Sequence, residues 1–340
     1  MNSDGNGEMK SSEALLSLEN VSTSFFTSKG IVPAVSEVSF AVRPGEILGL
    51  VGESGCGKSV TSLTIMGLVA PPGRVTQGRI RFEDRDLAQL DYKSMCELRG
   101  NEIAMIFQEP MTSLNPVFTV GRQVSEAILT HRKVGSAEAR ARTLEMFHLV
   151  GIPEPETRLD CYPHQLSGGL RQRVMIAMAL VCQPKLLIAD EPTTALDVTI
   201  QAQILDLMRD LRRRLNTAII LITHDLGVVA EVCDRVVVMY AGMVVEEADI
   251  FTLYAQPCHP YTIGLMGSIP GTAASMGANG KLQTIPGLVP NLLHLPSGCR
   301  FHPRCPVAQP HCREQAPPLF DLGDGHTARC WNFQDKAVRA

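Results

Sequence analysis

The sequence lacks any hydrophobic run long enough to cross a membrane. A membrane-spanning helix needs about 20 consecutive apolar residues, whereas the apolar runs here, such as 218–222 and 236–239, are much shorter. Residues 1–14 are polar and slightly acidic, and they contain neither the basic nor the apolar region of a secretory signal. We therefore expect a flexible tail over residues 1–14, a chain that does not cross a membrane, and a cytosolic location.

The chain also lacks an excess of positive charge. Its formal net charge is -4 and its pI is about 6.2, which argues against a protein whose main role is to bind nucleic acid. The arginines at 209 and 212–214 are interpreted as a solvated helix face. With 45% hydrophobic and 19% charged residues among 340, the composition excludes wholesale disorder and supports a large core.

Short C-x2-C pairs are absent, although the chain has ten cysteines. In a chain of this length without a secretory signal, reduced thiols or metal ligation are expected rather than a disulfide scaffold. Eleven of the 22 prolines lie in the last quarter, which excludes long helices there and indicates a boundary near residue 255. Residues 271–280 are predicted to form a flexible loop within that extension.

Continuous apolar runs at 46–51, 185–189 and 217–222 are typical of parallel strands buried on both faces. A helical pattern at 198–215 lies between the second and third runs. This order predicts an α/β fold with a mostly parallel sheet. Residues from about 120 to 183 have mainly helical patterns and are predicted to form an inserted helical subdomain.

A phosphate-binding loop is predicted between the first of these strands and a helical run at 58–68. Residues 52–59 match G-x4-G-K-[ST]. Glycines let successive N–H groups turn toward phosphate oxygens, while the lysine supplies a positive charge and the serine hydroxyl a ligand for Mg2+. The predicted ATP-binding residues here are Gly52, Glu53, Ser54, Gly55, Cys56, Gly57, Lys58, Ser59 and Val60.

Two carboxylates, Asp190 and Glu191, follow the second apolar strand. Ligands of α/β sheets bind at the carboxyl ends of the strands. One carboxylate can hold Mg2+ and the other can deprotonate water. Together with the phosphate-binding loop, the pair predicts a nucleotide-hydrolysis site.

Residues 166–173 have the sequence LSGGLRQR and precede a helical pattern. With this motif the chain resembles the ATP-binding cassette (ABC) family, in which Leu-Ser-Gly-Gly begins a helix of the helical subdomain and contacts the ATP held by the other subunit. Ser167, Gly168 and Gly169 fit that role, because a hydroxyl and N–H groups at a helix start bind anions. The resemblance covers about residues 15–255 and implies a P-loop NTPase fold of the ABC type.

Four further residues match motifs of the family and occur along this chain in the same order as in the family. The resemblance implies that Phe25 stacks on adenine; Phe26 is the alternative, and a packing role for Phe25 stays open. It implies that Gln108 senses Mg2+ and the attacking water, and that Asp197 lies in a loop crossing the dimer interface. His224 matches the histidine that contacts the γ-phosphate.

The expected site therefore binds both ATP and Mg2+. The resemblance implies that Ser59, Gln108 and Asp190 serve the metal and that Glu191 is the general base. The chain departs from the commonest family pattern at Leu170 and at Val60. Because neither position removes a phosphate ligand or the base, hydrolytic competence is expected.

A narrower resemblance lies in the segments 52–55, 108–116, 162–169 and 259–262. These look like the oligopeptide and dipeptide importer branch of bacterial cassette ATPases, with its C-terminal extension over 256–340. The branch implies a second ABC ATPase subunit in a heterodimer, two transmembrane permease subunits contacted through the 109–116 loop, and an extracytoplasmic solute-binding protein. It implies no nucleic acid and a peripheral position at the cytoplasmic face of the inner membrane.

Four cysteines in the extension form a distinct group with the spacing C-x5-C-x6-C-x17-C: Cys299, Cys305, Cys312 and Cys330. Four thiolates can hold a [4Fe-4S] cluster or a tetrahedral Zn2+. Some members of the resembled branch carry a [4Fe-4S] cluster on a similar quartet. Zinc, with His302 or His311 as possible substitute ligands, and unmetallated thiols remain the alternatives.

The expected function is ATP hydrolysis that energises uptake of dipeptides or oligopeptides. The alternatives are import of nickel, glutathione or another solute by the same machinery, and a cassette ATPase of DNA repair or translation. The second class commonly carries two cassettes, coiled-coil arms or basic linkers, which this sequence lacks. A purely regulatory ATP-binding role is disfavoured by the presence of Glu191 and His224.

Overall fold

The computed structural model describes residues 14–108, 113–194, 196–269 and 284–335. The predicted tail up to residue 13, the first part of the 109–116 loop, and the predicted loop at 271–280 lie outside these ranges. The strands are β1 (Leu16–Thr27), β2 (Gly30–Val42), β3 (Ile47–Val51), β4 (Gly73–Phe82), β5 (Arg85–Asp86), β6 (Ile103–Ile106), β7 (Leu186–Asp190), β8 (Ala218–Thr223), β9 (Arg235–Tyr240), β10 (Met243–Asp249), β11 (Phe320–Asp321) and β12 (Thr327–Ala328).

The α-helices are α1 (Lys58–Ile65), α2 (Tyr92–Leu98), α3 (Val120–His131), α4 (Ser136–Leu149), α5 (Pro155–Arg158), α6 (Gly168–Leu180), α7 (Val198–Leu215), α8 (Leu226–Val232), α9 (Ile250–Ala255) and α10 (Pro260–Gly267). Within the described residues, no helix is both long and apolar enough to span a bilayer.

The chain forms two compact units. The first contains residues up to 43, residues 48–88, and the chain from residue 223 onward. The second contains residues 44–47 and 89–222. The alternation of strands and helices in both confirms the predicted α/β class.

An antiparallel sheet in the first unit has the strand order β2-β1-β4-β5. In β1 the residues at 16, 18 and 21 are buried, and shifts in register near residues 21–24 interrupt the pairing with β2. The sequence did not predict this sheet, because buried and more exposed residues are mixed along β1 and β2, which therefore lack the continuous apolar runs of the core strands. The sheet carries Phe25 near the end of β1.

The remaining strands of the first unit adjoin in the order β11-β12-β10-β9-β3. β3 is parallel to β9, with Leu48 opposite Arg235 and Val51 opposite Val238. Both strands are buried along their whole length, which explains their continuous apolar sequences. The phosphate-binding loop therefore leaves the carboxyl end of a core strand.

In the second unit, β6, β7 and β8 are parallel, and β7 lies between the other two. Ile106 lies opposite Ala189, and Asp190 opposite Ile222. All residues of β7 and β8 are buried. Because the strands are parallel and in this register, the residues that follow β6 and β7 emerge at the same sheet edge.

Helices α3 to α6 occupy most of residues 120–180, and that part of the chain, described throughout, contains no strand. Each of the long helices begins at a residue suited to its N-terminus. Thr119 accepts a hydrogen bond from the N–H of Arg122, and Asp197 accepts one from the N–H of Ile200. Helix α7 ends at Asn216, which adopts the left-handed conformation that terminates helices.

Helix α1 is shorter than the predicted 58–68 run, since it ends at Ile65. Gly67 follows with a φ of 61°, a left-handed conformation that ends a helix. Helix α7 covers the predicted range of 198–215.

Candidate active site

The loop after β3 adopts a conformation that needs glycine at two positions. Gly52 has a φ of 152°, and a Cβ there would lie 2.2 Å from the carbonyl oxygen of Met239. Gly57 has a φ of 103°, and a Cβ there would lie 2.5 Å from the carbonyl oxygen of Ala34. The loop thus packs its backbone directly against neighbouring backbone, which side chains would prevent.

Lys58 lies at the N-terminus of α1 and turns its ammonium group back onto this loop. Its Nζ donates hydrogen bonds of 2.7 Å to the Gly52 carbonyl and 3.1 Å to the Glu53 carbonyl. The lysine is buried, with 5% of its surface exposed. A positive charge is therefore held at the centre of the loop, where phosphate oxygens can replace the two carbonyl acceptors.

Cys56 lies inside the same loop and is fully buried. Burial raises the pKa of its thiol, with the Lys58 ammonium opposing this effect. Its carbonyl oxygen accepts a hydrogen bond of 2.8 Å from the N–H of Gly242. These contacts give Cys56 a packing role that joins the loop to the turn between β9 and β10.

The two candidate aromatic residues at the end of β1 differ in their surroundings. Phe25 covers Gly73, where a Cβ would lie 2.6 Å from the phenylalanine ring. Phe26 has the guanidinium of Arg74 4.2 Å from its ring centroid. Both rings are half-exposed, but one face of Phe26 is already covered by a cation.

Glu191 follows β7 in the second unit, and its carboxylate accepts hydrogen bonds from Gln108 and Thr194. The side-chain amide of Gln108, which follows β6, donates to Oε2 at 3.0 Å. The hydroxyl of Thr194 donates to the same oxygen at 3.0 Å. Two residues predicted as catalytic are therefore in direct contact, and the parallel pairing of β6 and β7 accounts for it.

The backbone at Glu191 is itself unusual. Its φ of 47° places it in the left-handed region, which costs a non-glycine residue about 1–2 kcal/mol. The neighbouring Asp190 is buried, with 4% of its surface exposed. The Glu191 N–H donates a hydrogen bond of 2.9 Å to the carbonyl of Ile222. Strained backbone of this kind is typical of functional sites.

The predicted signature residues lie at the start of helix α6, also in the second unit. Ser167 is the N-cap, and its hydroxyl oxygen accepts a hydrogen bond from the N–H of Leu170 at 3.4 Å. Ser167 and Gly168 are exposed. A Cβ at Gly169 would lie 3.0 Å from Ile200 of α7, so the glycine allows close packing of the two helix starts. The exposed start of α6 can offer its N–H groups to an anion.

Asp197 and His224 both precede helices, but the Asp197 side chain caps its helix whereas the His224 side chain is exposed. The Asp197 carboxylate caps α7 through the N–H of Ile200 at 3.0 Å, which gives this residue a local structural role. His224 follows β8 directly and is exposed. The next residue, Asp225, caps α8 by accepting the N–H of Gly227 at 2.8 Å, which fixes the turn that presents His224.

The four cysteines of the extension line a single cavity together with Phe301, His302 and Trp331. All four are free thiols of intermediate exposure. The N–H of Cys299 donates to the Cys312 carbonyl at 2.8 Å. Burial raises the pKa of Cys330 to about 11, and the other three cysteines add to the shift. The structure therefore brings together four residues that are up to 31 positions apart.

The four sulfurs of the quartet are a donor set that either Zn2+ or an iron–sulfur cluster can use. Among the described residues, a different group offers three possible ligand atoms within 4.8 Å of one another. It is formed by Glu246, Cys258 and His326.

The Glu246 carboxylate, by contrast, is already saturated with hydrogen bonds. It is fully buried and accepts the N–H groups of Cys258 at 2.6 Å and His259 at 2.8 Å. Nε2 of His326 lies 2.9 Å from Oε1 of Glu246. These contacts satisfy a buried carboxylate without a metal ion, so we interpret the group as a structural network.

Sequence reasoning missed two residues that contact the phosphate-binding loop. The N–H of Glu53 donates a hydrogen bond of 2.7 Å to the Tyr261 hydroxyl, and Arg304 forms an ion pair with the Glu53 carboxylate. Tyr261 belongs to the segment at 259–262 that carries the branch resemblance. Arg304 had no sequence signal, because a single arginine in a loop has no characteristic pattern.

Comparison with known proteins agrees with this geometry. The family "ABC transporter" matches residues 35–194, and the family "Oligopeptide/dipeptide transporter, C-terminal region" matches residues 245–312. The chain is 53% identical to the oligopeptide transport ATP-binding protein AppD of Bacillus subtilis (strain 168), over 95% of this chain and 98% of that protein. It is 49% identical to the dipeptide transport ATP-binding protein DppD of Escherichia coli (strain K12), over 96% and 99% of the two chains.

A solved structure shares the cassette fold. It is the dimeric post-hydrolysis state of an ATP-binding cassette bound to ADP and Pi, with a TM-score of 0.62 and 28% identity over 69% of this chain and 98% of that one. The phosphate-binding loop, the Gln108–Glu191 contact and the start of helix α6 all lie within residues 35–194, which the ABC transporter family matches. The chain belongs to the ABC transporter ATP-binding proteins of the oligopeptide and dipeptide transport family.

Proposed function

We propose that the chain is the ATP-hydrolysing subunit of a bacterial ABC importer that energises uptake of dipeptides or oligopeptides. The proposal is supported by relatives whose names state oligopeptide or dipeptide transport at about half identity over nearly the whole chain. The observation that carries the enzymatic part is the contact between Glu191 and Gln108. A carboxylate held by an amide at the end of a buried strand is suited to orient and deprotonate water.

The proposed roles follow from the contacts of each residue. Lys58 and the loop N–H groups neutralise the phosphates, Glu191 accepts the proton of the attacking water, and His224 contacts the γ-phosphate. Water forms a bond to the γ-phosphorus while the bond to the leaving oxygen of ADP breaks. Ser59, Asp190 and Gln108 would serve Mg2+, which supplies positive charge against the phosphate oxygens.

Adenine would stack on Phe25, because no cation among the described residues lies over that ring, whereas Arg74 covers Phe26. Ser167, Gly168 and Gly169 would contact the ATP held by a second ATPase subunit, and Asp197 would lie in the loop at that interface. The exposure of Ser167 and Gly168 supports this role. A heterodimer of such subunits would act with two permease subunits and an extracytoplasmic binding protein, peripherally at the cytoplasmic face of the membrane.

We propose residues 15–255 as the ATPase domain, with a helical subdomain at about 120–183, and residues 256–340 as an extension. In this extension Cys299, Cys305, Cys312 and Cys330 would hold a [4Fe-4S] cluster, which would cross-link a segment with little regular structure. The convergence of the four thiols on one cavity supports this. Zn2+ on the same four thiols is the alternative occupant.

Uptake of a labelled dipeptide tests the transport proposal. Cells that lack other peptide importers would carry either the wild-type chain or Glu191→Gln at matched protein levels. We expect uptake only with the wild type. Equal uptake with both chains would contradict the proposal that this ATPase powers peptide import, and parallel assays with labelled nickel and glutathione would identify a different cargo.

A further inference from the structure

Glu53 connects the phosphate-binding loop to the C-terminal extension. The Glu53 N–H donates to the hydroxyl of Tyr261 at 2.7 Å. Its two carboxylate oxygens accept from the two terminal nitrogens of Arg304 at 2.6 and 2.9 Å. Both the backbone and the side chain of one loop residue are thus held by residues that follow position 255.

The Arg304 contact is built into the protein interior. Only 4% of the Arg304 side chain is exposed, compared with 29% for Glu53. Its Nε donates to the carbonyl of Pro286 at 2.9 Å. The paired geometry of guanidinium and carboxylate fixes direction as well as distance. Arg304 is therefore fixed both by burial and by its hydrogen bond to Pro286. Because the guanidinium is fixed, it holds the Glu53 carboxylate in one position.

The Tyr261 contact is equally constrained. Tyr261 is fully buried, and its ring lies 4.6 Å from that of Tyr240 and 5.5 Å from that of Phe301, measured between centroids. Tyr240 is the last residue of β9, the strand parallel to β3. The hydroxyl that accepts the Glu53 N–H is therefore set by a packed aromatic cluster, defined as Tyr240, Tyr261 and Phe301.

The turn that carries Arg304 lies within the cysteine-rich segment. The His302 N–H donates to the Cys299 carbonyl at 3.1 Å, and the Arg304 N–H donates to the Phe301 carbonyl at 3.0 Å. Phe301 and Cys305 also line the cavity of the cysteine quartet. The same turn thus belongs both to the wall of that cavity and to the support of the phosphate-binding loop.

The geometry points to Arg304 and Tyr261 as positioning residues for nucleotide binding, acting through Glu53. This inference rests on the proposed ATPase function. It assigns a role in nucleotide binding to two residues of the C-terminal extension, which lies outside the cassette motifs. The Glu53 carbonyl accepts a hydrogen bond from Lys58 Nζ at 3.1 Å. The contacts that hold Glu53 therefore also fix the position of the carbonyl oxygen to which Lys58 donates.

Nucleotide affinity of single variants tests the inference. The variants are Tyr261→Phe, which removes the hydroxyl acceptor, and Arg304→Met, which removes the guanidinium. We expect each to raise the dissociation constant of a non-hydrolysable ATP analogue with Mg2+ about tenfold, as for loss of one hydrogen bond to a charged or buried group. Arg304→Lys should fall between Arg304→Met and the wild type. Tyr254→Phe and Arg313→Met are matched controls that leave the loop untouched.

A second variant protects the test against simple loss of folding. Glu53→Gln alters a partly exposed side chain and weakens the same ion pair. Glu53 and Arg304 act through one contact, so the effects of their substitutions should not add. The dissociation constant of the double variant Glu53→Gln with Arg304→Met should therefore be close to that of whichever single variant binds nucleotide less tightly. In steady-state hydrolysis we expect a raised KM with kcat within about twofold of wild type, since ground state and transition state lose the same support.

The outcomes separate this inference from the proposed function. Folded variants with unchanged nucleotide affinity would overturn the positioning role, as would fully multiplicative effects in the double variant. Absence of ATP hydrolysis in the wild type would instead contradict the ATPase proposal. The binding comparison would still report whether the extension supports the loop.

Discussion

The side-chain amide of Gln108 donates a hydrogen bond of 3.0 Å to Oε2 of Glu191. The two residues are 83 positions apart and meet because β6 and β7 are parallel neighbours that end at the same sheet edge. The hydroxyl of Thr194 is a second donor to the same oxygen. In the proposed mechanism, these contacts orient the Glu191 carboxylate as the general base.

Replacement of this carboxylate should separate binding from turnover. In Glu191→Gln we expect ATP hydrolysis to fall by about 100-fold or more, because a general base contributes about that much, while nucleotide affinity stays within about threefold of wild type. Phosphate release and equilibrium nucleotide binding measure the two quantities. Glu145→Gln, an exposed carboxylate on α4, is the control. Wild-type hydrolysis in Glu191→Gln would refute the assignment of the base.

The two phenylalanines at the end of β1 should differ in their effect on nucleotide binding. In Phe25→Ala we expect affinity for ATP to fall about tenfold or more, because stacking of a base on an aromatic ring is worth about 1–3 kcal/mol. Phe26→Ala should change affinity less than threefold, since Arg74 already covers that ring. Titration with a fluorescent ATP analogue measures both. The reverse order of effects would reassign adenine stacking to Phe26.

Two glycines of the phosphate-binding loop should tolerate alanine very differently. Gly57→Ala would place a Cβ 2.5 Å from the Ala34 carbonyl, whereas Gly55→Ala would have no atom within 4 Å. Both have positive φ, so Gly55→Ala should cost about 1–2 kcal/mol and Gly57→Ala considerably more. Thermal unfolding and nucleotide binding of the two variants provide the comparison. Equal stability would show that the loop relaxes away from Ala34.

The buried Glu246 network should behave as a structural element and not as a metal site. Glu246→Ala leaves the donors of Cys258, His259 and His326 without their carboxylate acceptor, so we expect stability to fall by about 3 kcal/mol or more. Cys258→Ser keeps the backbone N–H contact and should cost less than about 1 kcal/mol. Thermal midpoints measure both. A large loss of stability together with loss of bound zinc in Cys258→Ser would identify a metal ligand instead.

The cysteine quartet should determine the iron content of the protein. After anaerobic purification we expect Cys312→Ser to lose most iron and acid-labile sulfide relative to wild type. Cys161→Ser, which changes a cysteine outside the quartet, should keep both. Iron and sulfide analysis with absorption spectra measure the difference. One zinc per chain in the wild type, or no metal at all, would contradict the cluster.

The residues of the candidate site could be proposed from the sequence because their signals are local. The residues of the phosphate-binding loop are consecutive, and their strand and helix are adjacent in the chain. Asp190 and Glu191 follow a continuous apolar run, and Ser167 precedes a helical one. In each case a few neighbouring residues determine the backbone conformation, so the pattern survives in the linear sequence.

Other parts of the fold could not be predicted from these signals. The antiparallel sheet that carries Phe25 has register shifts near residues 21–24, which break the alternation that identifies strands. The Glu246 network joins residues 80 positions apart through hydrogen bonds. No local pattern of polarity indicates which buried carboxylate meets which N–H group.

The sequence by itself determined where the reactive side chains lie along the chain: a lysine and a serine after a glycine-rich turn, two carboxylates after a buried strand, and four thiols in one segment. Local backbone preferences and apolar periodicity were sufficient for that. Only the tertiary structure decided that Gln108 contacts Glu191, that four cysteines face one cavity, and that Arg304 and Tyr261 hold Glu53. Those contacts join residues as far as 251 positions apart, and they depend on the packing of whole strands and loops.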